Sequence, residues 1–386
     1  MHKNSLVTIF LVVFIDLVGF GMIIPILPYY AKSFGASATL LGVLMMCYSG
    51  MQFFFSPMWG RLSDRIGRRP VLLTCILGIA GSMVLLGFAT SLFWLFAARL
   101  LAGLFGANIS AATAYIADVT TPENRAKGMG MIGAAFGLGF LFGPAIGGFL
   151  SRFGFGAVAF AVAGLAFFNF LFGLFLLKEP SLSTAVRAEH RHHFDKKKWL
   201  SILSDPKTGT PIILFFLVTI GFAQMETTFA LFLLARFGLD AQHAGYLLAG
   251  MAVIMVLVQG GGIGRLVKKF GETKLVWIGT SLMALGLTAA SFSFHLSFFV
   301  AAMLILALGY SMTNPSLSSL ASRGAAGGAQ GATMGVYQSA GSLSRVLGPL
   351  LAGILFDHLG IQAPFWMASL FFIAALLMSV AKNRME

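Results

Sequence analysis

Four charged side chains lie inside long apolar segments of the sequence: Asp16, Arg99, Glu226 and Arg345. A charge in an apolar medium is costly unless it is paired or serves a function. Asp16 is about ten residues into its segment, or about 15 Å along a helix. Because burial disfavours the ionised form of a carboxylate, Asp16 is suited to reversible proton binding, with Glu226 as a second candidate. The alternatives are an ion pair of Arg345 with either carboxylate, an anionic substrate at Arg345, and a purely structural Arg99.

Neutral polar side chains also occur singly in these apolar segments. Such side chains can line a cavity for a small molecule, although hydrogen bonding between helices explains each of them at least as well. The 39 phenylalanines and 19 methionines would suit an adaptable apolar pocket. The candidate cavity residues are Gln52, Asn108, Gln224, Gln259, Asn314 and Gln338.

The elements that must position these side chains are twelve apolar segments, because a helix that crosses a membrane needs about 20 apolar residues. Of the 386 residues, 58% are hydrophobic and 10% are charged, a composition that excludes an ordinary soluble enzyme. The fold class is therefore an all-α polytopic membrane protein with twelve transmembrane helices. The predicted segments are 6–31, 38–59, 70–90, 92–116, 127–151, 156–177, 209–235, 243–263, 274–293, 296–317, 329–354 and 362–381.

The net charge of +13 follows the predicted topology. With the N-terminus in the cytoplasm, 21 of the 26 basic residues fall in cytoplasmic segments and three on the opposite side. This asymmetry predicts that both termini are cytoplasmic. It also removes nucleic acid as a partner, and the expected location is the inner (plasma) membrane of a bacterium.

An internal repeat indicates two related halves. The pattern Gly-Arg-Leu that begins at Gly60 recurs 204 residues later at Gly264, and Gly143-Pro144 recurs 205 residues later as Gly348-Pro349. In transporters built from such repeats, the substrate site lies between the halves near the membrane midplane.

The long polar stretch near the middle of the chain divides these halves. The predicted organisation is an N-terminal six-helix half (1–178), a cytoplasmic linker (179–208) and a C-terminal six-helix half (209–386). The linker histidines at 190, 192 and 193 could bind a metal, but a solvated linker that attracts anionic headgroups is favoured. Cys47 and Cys75 lie in apolar segments, so neither a metal site nor a disulfide framework is predicted.

The loop between the second and third segments, Gly60-Arg-Leu-Ser-Asp64-Arg65-Ile-Gly67-Arg68-Arg69, resembles the signature loop of the major facilitator superfamily. In that family, the matching aspartate helps to lock the cytoplasmic sides of the halves together when the cavity faces outward. The second copy has Lys268 in place of Asp64, so its lock is expected to be weaker or absent. The gating set implied by the resemblance is Gly60, Asp64, Arg65, Gly67 and Arg68, with Asp118 as a further member of the charge network.

Three more stretches carry the resemblance. Residues 137–148 are similar to the antiporter signature of the superfamily, with Gly139, Gly143, Pro144, Gly147 and Gly148 as the motif residues. Glycines four residues apart also form a face for close helix packing. Residues 16–28 look like the first helix of tetracycline-efflux proteins, which carry a functional aspartate here. Residues 99–103 match a motif whose arginine is tied to proton movement.

The resemblance implies a proton-coupled secondary transporter that exports small amphipathic or drug-like molecules by alternating access. Its partners would be the substrate, protons and the bilayer, with no cofactor beyond the proton gradient and with a monomeric chain. No phosphate-binding loop for ATP is present. The alternative is a proton-coupled importer or carrier of an anionic metabolite or lipid on the same fold. An intramembrane enzyme is not expected, because no histidine lies clearly within a segment, and a sensor would usually add a soluble output domain.

Overall fold

The computed structural model describes residues 3–120, 122–180, 196–325 and 330–383. Within these ranges the chain is helical and contains no strand. Twelve helices of the described part are long and apolar enough to cross a membrane, which confirms the predicted number of spans. Spans one to six are Lys3–Ile23, Ala38–Ile66, Arg68–Gly87, Leu92–Val119, Pro122–Leu150 and Phe155–Leu176. Spans seven to twelve are Pro206–Phe237, Ala241–Phe270, Glu272–Ser291, Leu296–Gly324, Gln330–Leu359 and Ala363–Asn383.

Two spans are interrupted in their helical pattern. Span four consists of the α-helices Leu92–Phe105 and Ile109–Val119, joined by a turn of 3₁₀-helix at Gly106–Asn108. Span eight contains a π-helical segment at Val258–Gly262. Such interruptions often mark hinges or functional sites.

The first predicted segment, 6–31, forms two helices rather than one continuous helix. Span one ends at Ile23, and a short helix, Leu27–Ser33, follows it. Pro25 explains the break, because proline lacks the backbone N–H of a helix and its ring clashes with the preceding turn. Pro28 lies in the first turn of the short helix, where no helical N–H bond is needed.

The chain forms two compact units. The first unit comprises Met1–Gly35, Cys47–His193 and Ala241–Ala249, and the second comprises Ala36–Met46, Phe194–Asp240 and Gly250–Glu386. The beginning of span two therefore belongs to the second unit, and the beginning of span eight belongs to the first. Each of these two exchanged segments packs closely on a helix of the unit to which it belongs.

The two exchanged segments make equivalent contacts. Gly42 of span two lies against the carbonyl of Pro349 in span eleven, and Gly245 of span eight lies against the carbonyl of Pro144 in span five. Pro144 and Pro349 are the matching prolines of the internal repeat. The repeated Gly-Pro pattern is thus used for the same kind of helix crossing in each unit.

Each unit has its own apolar core. In the first unit, a buried cluster joins spans one, three, four and five, with Tyr115 fully buried among them. In the second unit, the ring of Phe232 stacks on Phe299 and Phe365, which joins spans seven, ten and twelve. The first cluster fixes span one, and with it Asp16, against its neighbours.

Candidate functional site

The Asp16 carboxylate is held by two amides in the first unit. Asn108 Nδ2 donates to Asp16 Oδ2 at 2.8 Å, and Asn169 Nδ2 donates to Asp16 Oδ1 at 3.0 Å. Among the described residues, no lysine or arginine forms an ion pair with this carboxylate. Asn169 was not predicted as a site residue, although it is the one strongly polar side chain in the sequence of span six.

Arg99 interacts with span two. Its guanidinium lies 4.2 Å from the ring centroid of Tyr48, and the residue is only 4% exposed. Its Nε atom has no hydrogen-bond partner among the residues that the structure describes. An arginine stacked on an aromatic face is stabilised by cation–π attraction. Tyr48 was not predicted as its partner.

Two of the predicted cavity residues make helix–helix hydrogen bonds in the first unit. Gln52 Nε2 donates to the backbone oxygen of Gly106 at 2.7 Å, which places it on the 3₁₀ turn of span four. Asn108, at the end of the same turn, donates to Asp16. Their role in lining a cavity stays a prediction.

The second unit has its own group of charged and aromatic residues. Glu226 in span seven and Arg345 in span eleven interact electrostatically, and Tyr310 in span ten lies close enough to interact with both. The ring of Tyr310 stacks on Phe222, with the centroids 4.1 Å apart. An ion pair between Glu226 and Arg345 stays a prediction.

The other predicted cavity residues of the second unit occupy different environments. Gln224 is fully buried, and neither of its side-chain polar atoms has a partner in the described ranges. Gln259 lies in the π-helical segment of span eight. Asn314 is partly buried, and it immediately precedes Pro315 within span ten. Gln338 is exposed.

The predicted gating loop, residues 60–69, is helical except at Gly67, because span two extends to Ile66 and span three begins at Arg68. Its side chains form a compact charge network centred on Arg68. The Arg68 guanidinium contacts Asp64 at 2.5 Å, Asp118 at 2.8 Å and Ser63 Oγ at 2.7 Å. Gly60 packs near Ser110 of span four. Arg65 is exposed and makes none of these contacts. Asp118 therefore joins the network, and the bonds to Arg68 connect span two, span three and span four.

A carboxylate outside the predicted set completes this loop. The two oxygens of Glu179 accept the backbone N–H groups of Arg68 and Arg69 at 2.7 and 2.8 Å. Gly67 has φ +108°, and a Cβ at this position would lie 2.8 Å from a Glu179 oxygen. Glycine is therefore needed both for the backbone conformation and for the approach of the carboxylate. Tyr115 anchors the same segment by donating its hydroxyl to the oxygen of Lys178 at 2.7 Å.

The second copy of the loop has the corresponding bridge with its charges exchanged. Glu272, which occupies the repeat position of Arg68, binds Arg323 at 2.9 Å and accepts from Ser319 Oγ at 2.5 Å. Arg323 lies 205 residues after Asp118. Lys268 replaces Asp64, yet the link between spans nine and ten is present. The bridge between adjacent spans therefore has opposite polarity in the two copies.

The antiporter-like glycines pack span five against span one. Gly139 faces Leu17, Gly143 faces Gly21 and the carbonyl of Val18, and Gly147 faces the carbonyl of Met22. Gly148 lies on the other side, against the start of span eight. This motif therefore supports the helix that carries Asp16.

Metal binding has no support in the described residues, which contain no group of three or more His, Cys, Asp or Glu placed to hold an ion. The linker histidines lie outside the described residues.

Comparisons with known proteins give the chain a family. A sequence profile described as Major Facilitator Superfamily matches residues 9–349 and, separately, 262–384. The chain is 31% identical to Multidrug resistance protein 2 of Bacillus subtilis (strain 168) over 384 residues, which cover 97% of this chain and 94% of that protein. It is 35% identical to the class E Tetracycline resistance protein of Escherichia coli over 355 residues, covering 90% and 86%.

Solved structures of membrane transporters have a similar fold. The human organic anion transporter MFSD10 (TETRAN) shares 26% identity with a TM-score of 0.72, covering 98% of this chain and 99% of that one. A bacterial homologue of the human lysosomal transporter Spinster shares 16% identity with a TM-score of 0.79, over 98% and 96%, and shows the fold alone. The twelve spans, the signature loop and these matches lead to one conclusion: the chain belongs to the Major Facilitator Superfamily, whose members are membrane transporters and not enzymes.

Proposed function

We propose that this protein exports small amphipathic, drug-like molecules across a membrane in exchange for protons. The observation that carries the proposal is the Asp16 carboxylate, which lies within span one and is bound by two neutral amides rather than by a cation. A carboxylate without a fixed counter-ion can gain and lose a proton during each cycle. The names of the relatives, which include tetracycline and multidrug resistance proteins, support export.

The proposed cycle follows from the chemistry of one carboxylate. Asp16 is ionised when substrate binds from the cytoplasmic side or leaflet. Opening to the outside exposes the carboxylate to a proton, and protonation displaces the substrate and permits the return. Glu226 is a second candidate for this role, and it interacts electrostatically with Arg345.

The proposed setting is the inner membrane of a bacterium, with both termini in the cytoplasm and a monomeric chain. The asymmetry of lysine and arginine between the two sets of loops supports this orientation. The proton gradient across such a membrane would supply the energy.

The variant Asp16→Asn tests the coupling. It keeps the size of the side chain but cannot bind a proton reversibly, so we expect substrate accumulation driven by a pH gradient to fall to the background level in everted membrane vesicles. Asp205→Asn is the matched control, because Asp205 caps span seven by accepting Lys207 N–H and an asparagine can do the same. Full activity of Asp16→Asn would contradict the proposed role.

The alternative, import or carriage of an anionic metabolite or lipid, is not favoured. Arg345 would be its anion-binding residue, but Glu226 already shares the electrostatic field of that guanidinium. The two functions predict opposite directions of transport. In proteoliposomes with an imposed pH gradient, export by antiport moves the substrate against the proton flow, whereas proton-coupled import moves both in the same direction.

A further inference from the structure

The two amides around Asp16 are not equivalent. Asn169 is fully buried and donates to the backbone oxygen of Val12 at 2.9 Å as well as to Asp16. These two acceptors fix the orientation of its amide, because a rotated amide would direct Oδ1 at two oxygen atoms. In this orientation Asn169 Oδ1 is buried without a partner among the described residues, which is energetically unfavourable. The amide of Asn169 is therefore oriented to donate to the Asp16 carboxylate.

Asn108 is held less firmly. It is 7% exposed, and its bond to Asp16 is the one side-chain hydrogen bond that it makes within the described ranges. Rotation of its amide would exchange a donor for an acceptor next to Asp16 Oδ2. Asn108 Nδ2 can therefore donate to the ionised carboxylate, and Asn108 Oδ1 can accept from the protonated one.

The position of Asn108 connects Asp16 to the rest of the polar groups in the first unit. Asn108 ends the 3₁₀ turn of span four, and the oxygen of Gly106 in that turn accepts the bond from Gln52. A Cβ on Gly106 would lie 2.8 Å from the hydroxyl oxygen of Tyr48, whose ring carries the Arg99 guanidinium. A change at Asn108 would therefore act on a turn that span two contacts directly.

We propose that Asn108 and Asn169 are positioning residues of the proton cycle: Asn169 holds the ionised Asp16 carboxylate in place, and Asn108 rotates its amide when Asp16 becomes protonated. This inference rests on the proposed function, in which Asp16 is the coupling carboxylate. The step involves only proton transfer from solution to a carboxylate oxygen and exchange of one hydrogen-bond donor for one acceptor.

Few other charges face Asp16 in the first unit. Spans five and six, which pack on span one, carry no charged side chain over residues 128–150 and 155–176. Span three presents the buried thiol of Cys75, which interacts electrostatically with Asp16. Span four carries Arg99, which is stacked on Tyr48, and Asp118, which is bound to Arg68. Among the residues that the structure describes, the two amides are thus the side chains that hydrogen-bond to this carboxylate.

An infrared titration of the full-length protein in lipid nanodiscs tests the role of Asn169. The C=O band of protonated Asp16 is identified by its loss in Asp16→Asn. Removal of one donor to the ionised carboxylate, in Asn169→Leu, should move the midpoint of this band to higher pH by about one unit. Asn169→Ser serves as a second variant in case the leucine variant fails to fold. Ser82→Ala is the control, because it removes a buried hydroxyl that bonds only within its own helix.

The frequency of the same band tests Asn108. When protonated Asp16 donates to Asn108 Oδ1, the C=O stretch has the frequency of a hydrogen-bonded acid. Asn108→Leu should shift this stretch to a higher frequency, because the acid O–H then lacks its acceptor. Asn169→Leu should also raise the frequency, because Asn169 Nδ2 no longer donates to Asp16 Oδ1, which is the C=O oxygen when the proton is on Oδ2.

Three results would overturn the inference: an unshifted midpoint in a folded Asn169 variant, an unchanged frequency in Asn108→Leu, or the absence of any band that depends on Asp16. Failure of the proposed function is a separate result, because it would appear as transport by the wild type that does not respond to a pH gradient. The infrared shifts do not depend on transport.

Discussion

The side chain of Glu179 accepts a hydrogen bond from Arg68 in the motif at 60–69, 111 residues earlier in the chain. Span three begins with Arg68 and Arg69, and cations at a helix N-terminus oppose the helix dipole. In the second copy, Glu272 occupies the first helical position and provides the favourable negative charge itself. Glu179 supplies that charge to span three from the beginning of the linker, while it also accepts two N–H groups that would otherwise lack helical partners.

Substitution of Glu179 by alanine should therefore destabilise the protein. We expect a loss of about 1 kcal/mol in the free energy of unfolding, the usual effect of losing a capping side chain. Glu179→Gln should lose less, because its amide oxygen still accepts one of the N–H groups. Chemical denaturation of the purified variants in detergent measures the difference. Equal stability of wild type and Glu179→Ala would show that the two hydrogen bonds contribute nothing.

At the scale of the helix, span five shows how a sequence motif serves packing and function together. Its glycines let span one approach so closely that backbone atoms of the two helices meet. Span one carries Asp16, and its position determines whether the carboxylate reaches Asn108 and Asn169. The close-packing explanation and the functional explanation of this motif are therefore compatible.

Gly143→Ala is expected to disturb this contact. The added Cβ would lie 2.7 Å from both Gly21 Cα and the oxygen of Val18, so the helices must separate. Overpacking of this kind costs about 1–3 kcal/mol, and transport should fall with it. The matched control is Gly133→Ala in the same helix, where no atom lies within 4 Å and alanine favours the helix. Thermal unfolding and transport assays on both variants compare them; equal loss in the two would contradict this account.

At the scale of the whole molecule, the distribution of lysine and arginine between the loops predicts the orientation in the membrane. The apolar segments are nearly uniform, so the basic loops are the main determinant of which side faces the cytoplasm. The two compact units each contain one copy of the repeated motif, and both copies fall in segments predicted to be cytoplasmic.

Cysteine labelling checks the orientation. In a variant with Cys47 and Cys75 replaced by serine and alanine, single cysteines at two exposed positions, Thr90→Cys and Lys269→Cys, lie in predicted outer and cytoplasmic loops. A membrane-impermeant maleimide should label Thr90→Cys in intact cells and Lys269→Cys in everted vesicles. The reverse pattern would contradict the predicted topology.

The sequence alone determined the number of spans, the fold class and the candidate carboxylate. These properties depend on local features: about 20 consecutive apolar residues make a span wherever they occur, and a charge such as Asp16 is conspicuous among them. The family resemblance depended on the loop at 60–69, which is a continuous stretch of the chain. The single segment predicted at 6–31 is divided near Pro25 into span one and a short helix.

The tertiary structure alone decided which side chains meet. Asp16 and Asn169 are 153 residues apart, and Arg99 finds its partner on span two. In a helix that is apolar on every side, lipid-facing and buried faces have the same composition, so hydrophobic periodicity does not reveal which face turns inward. Glu179 lies in a polar linker where a carboxylate is unremarkable until the N-terminus of span three is brought beside it. Contacts of this kind depend on helix rotation and packing, which are set by the whole fold.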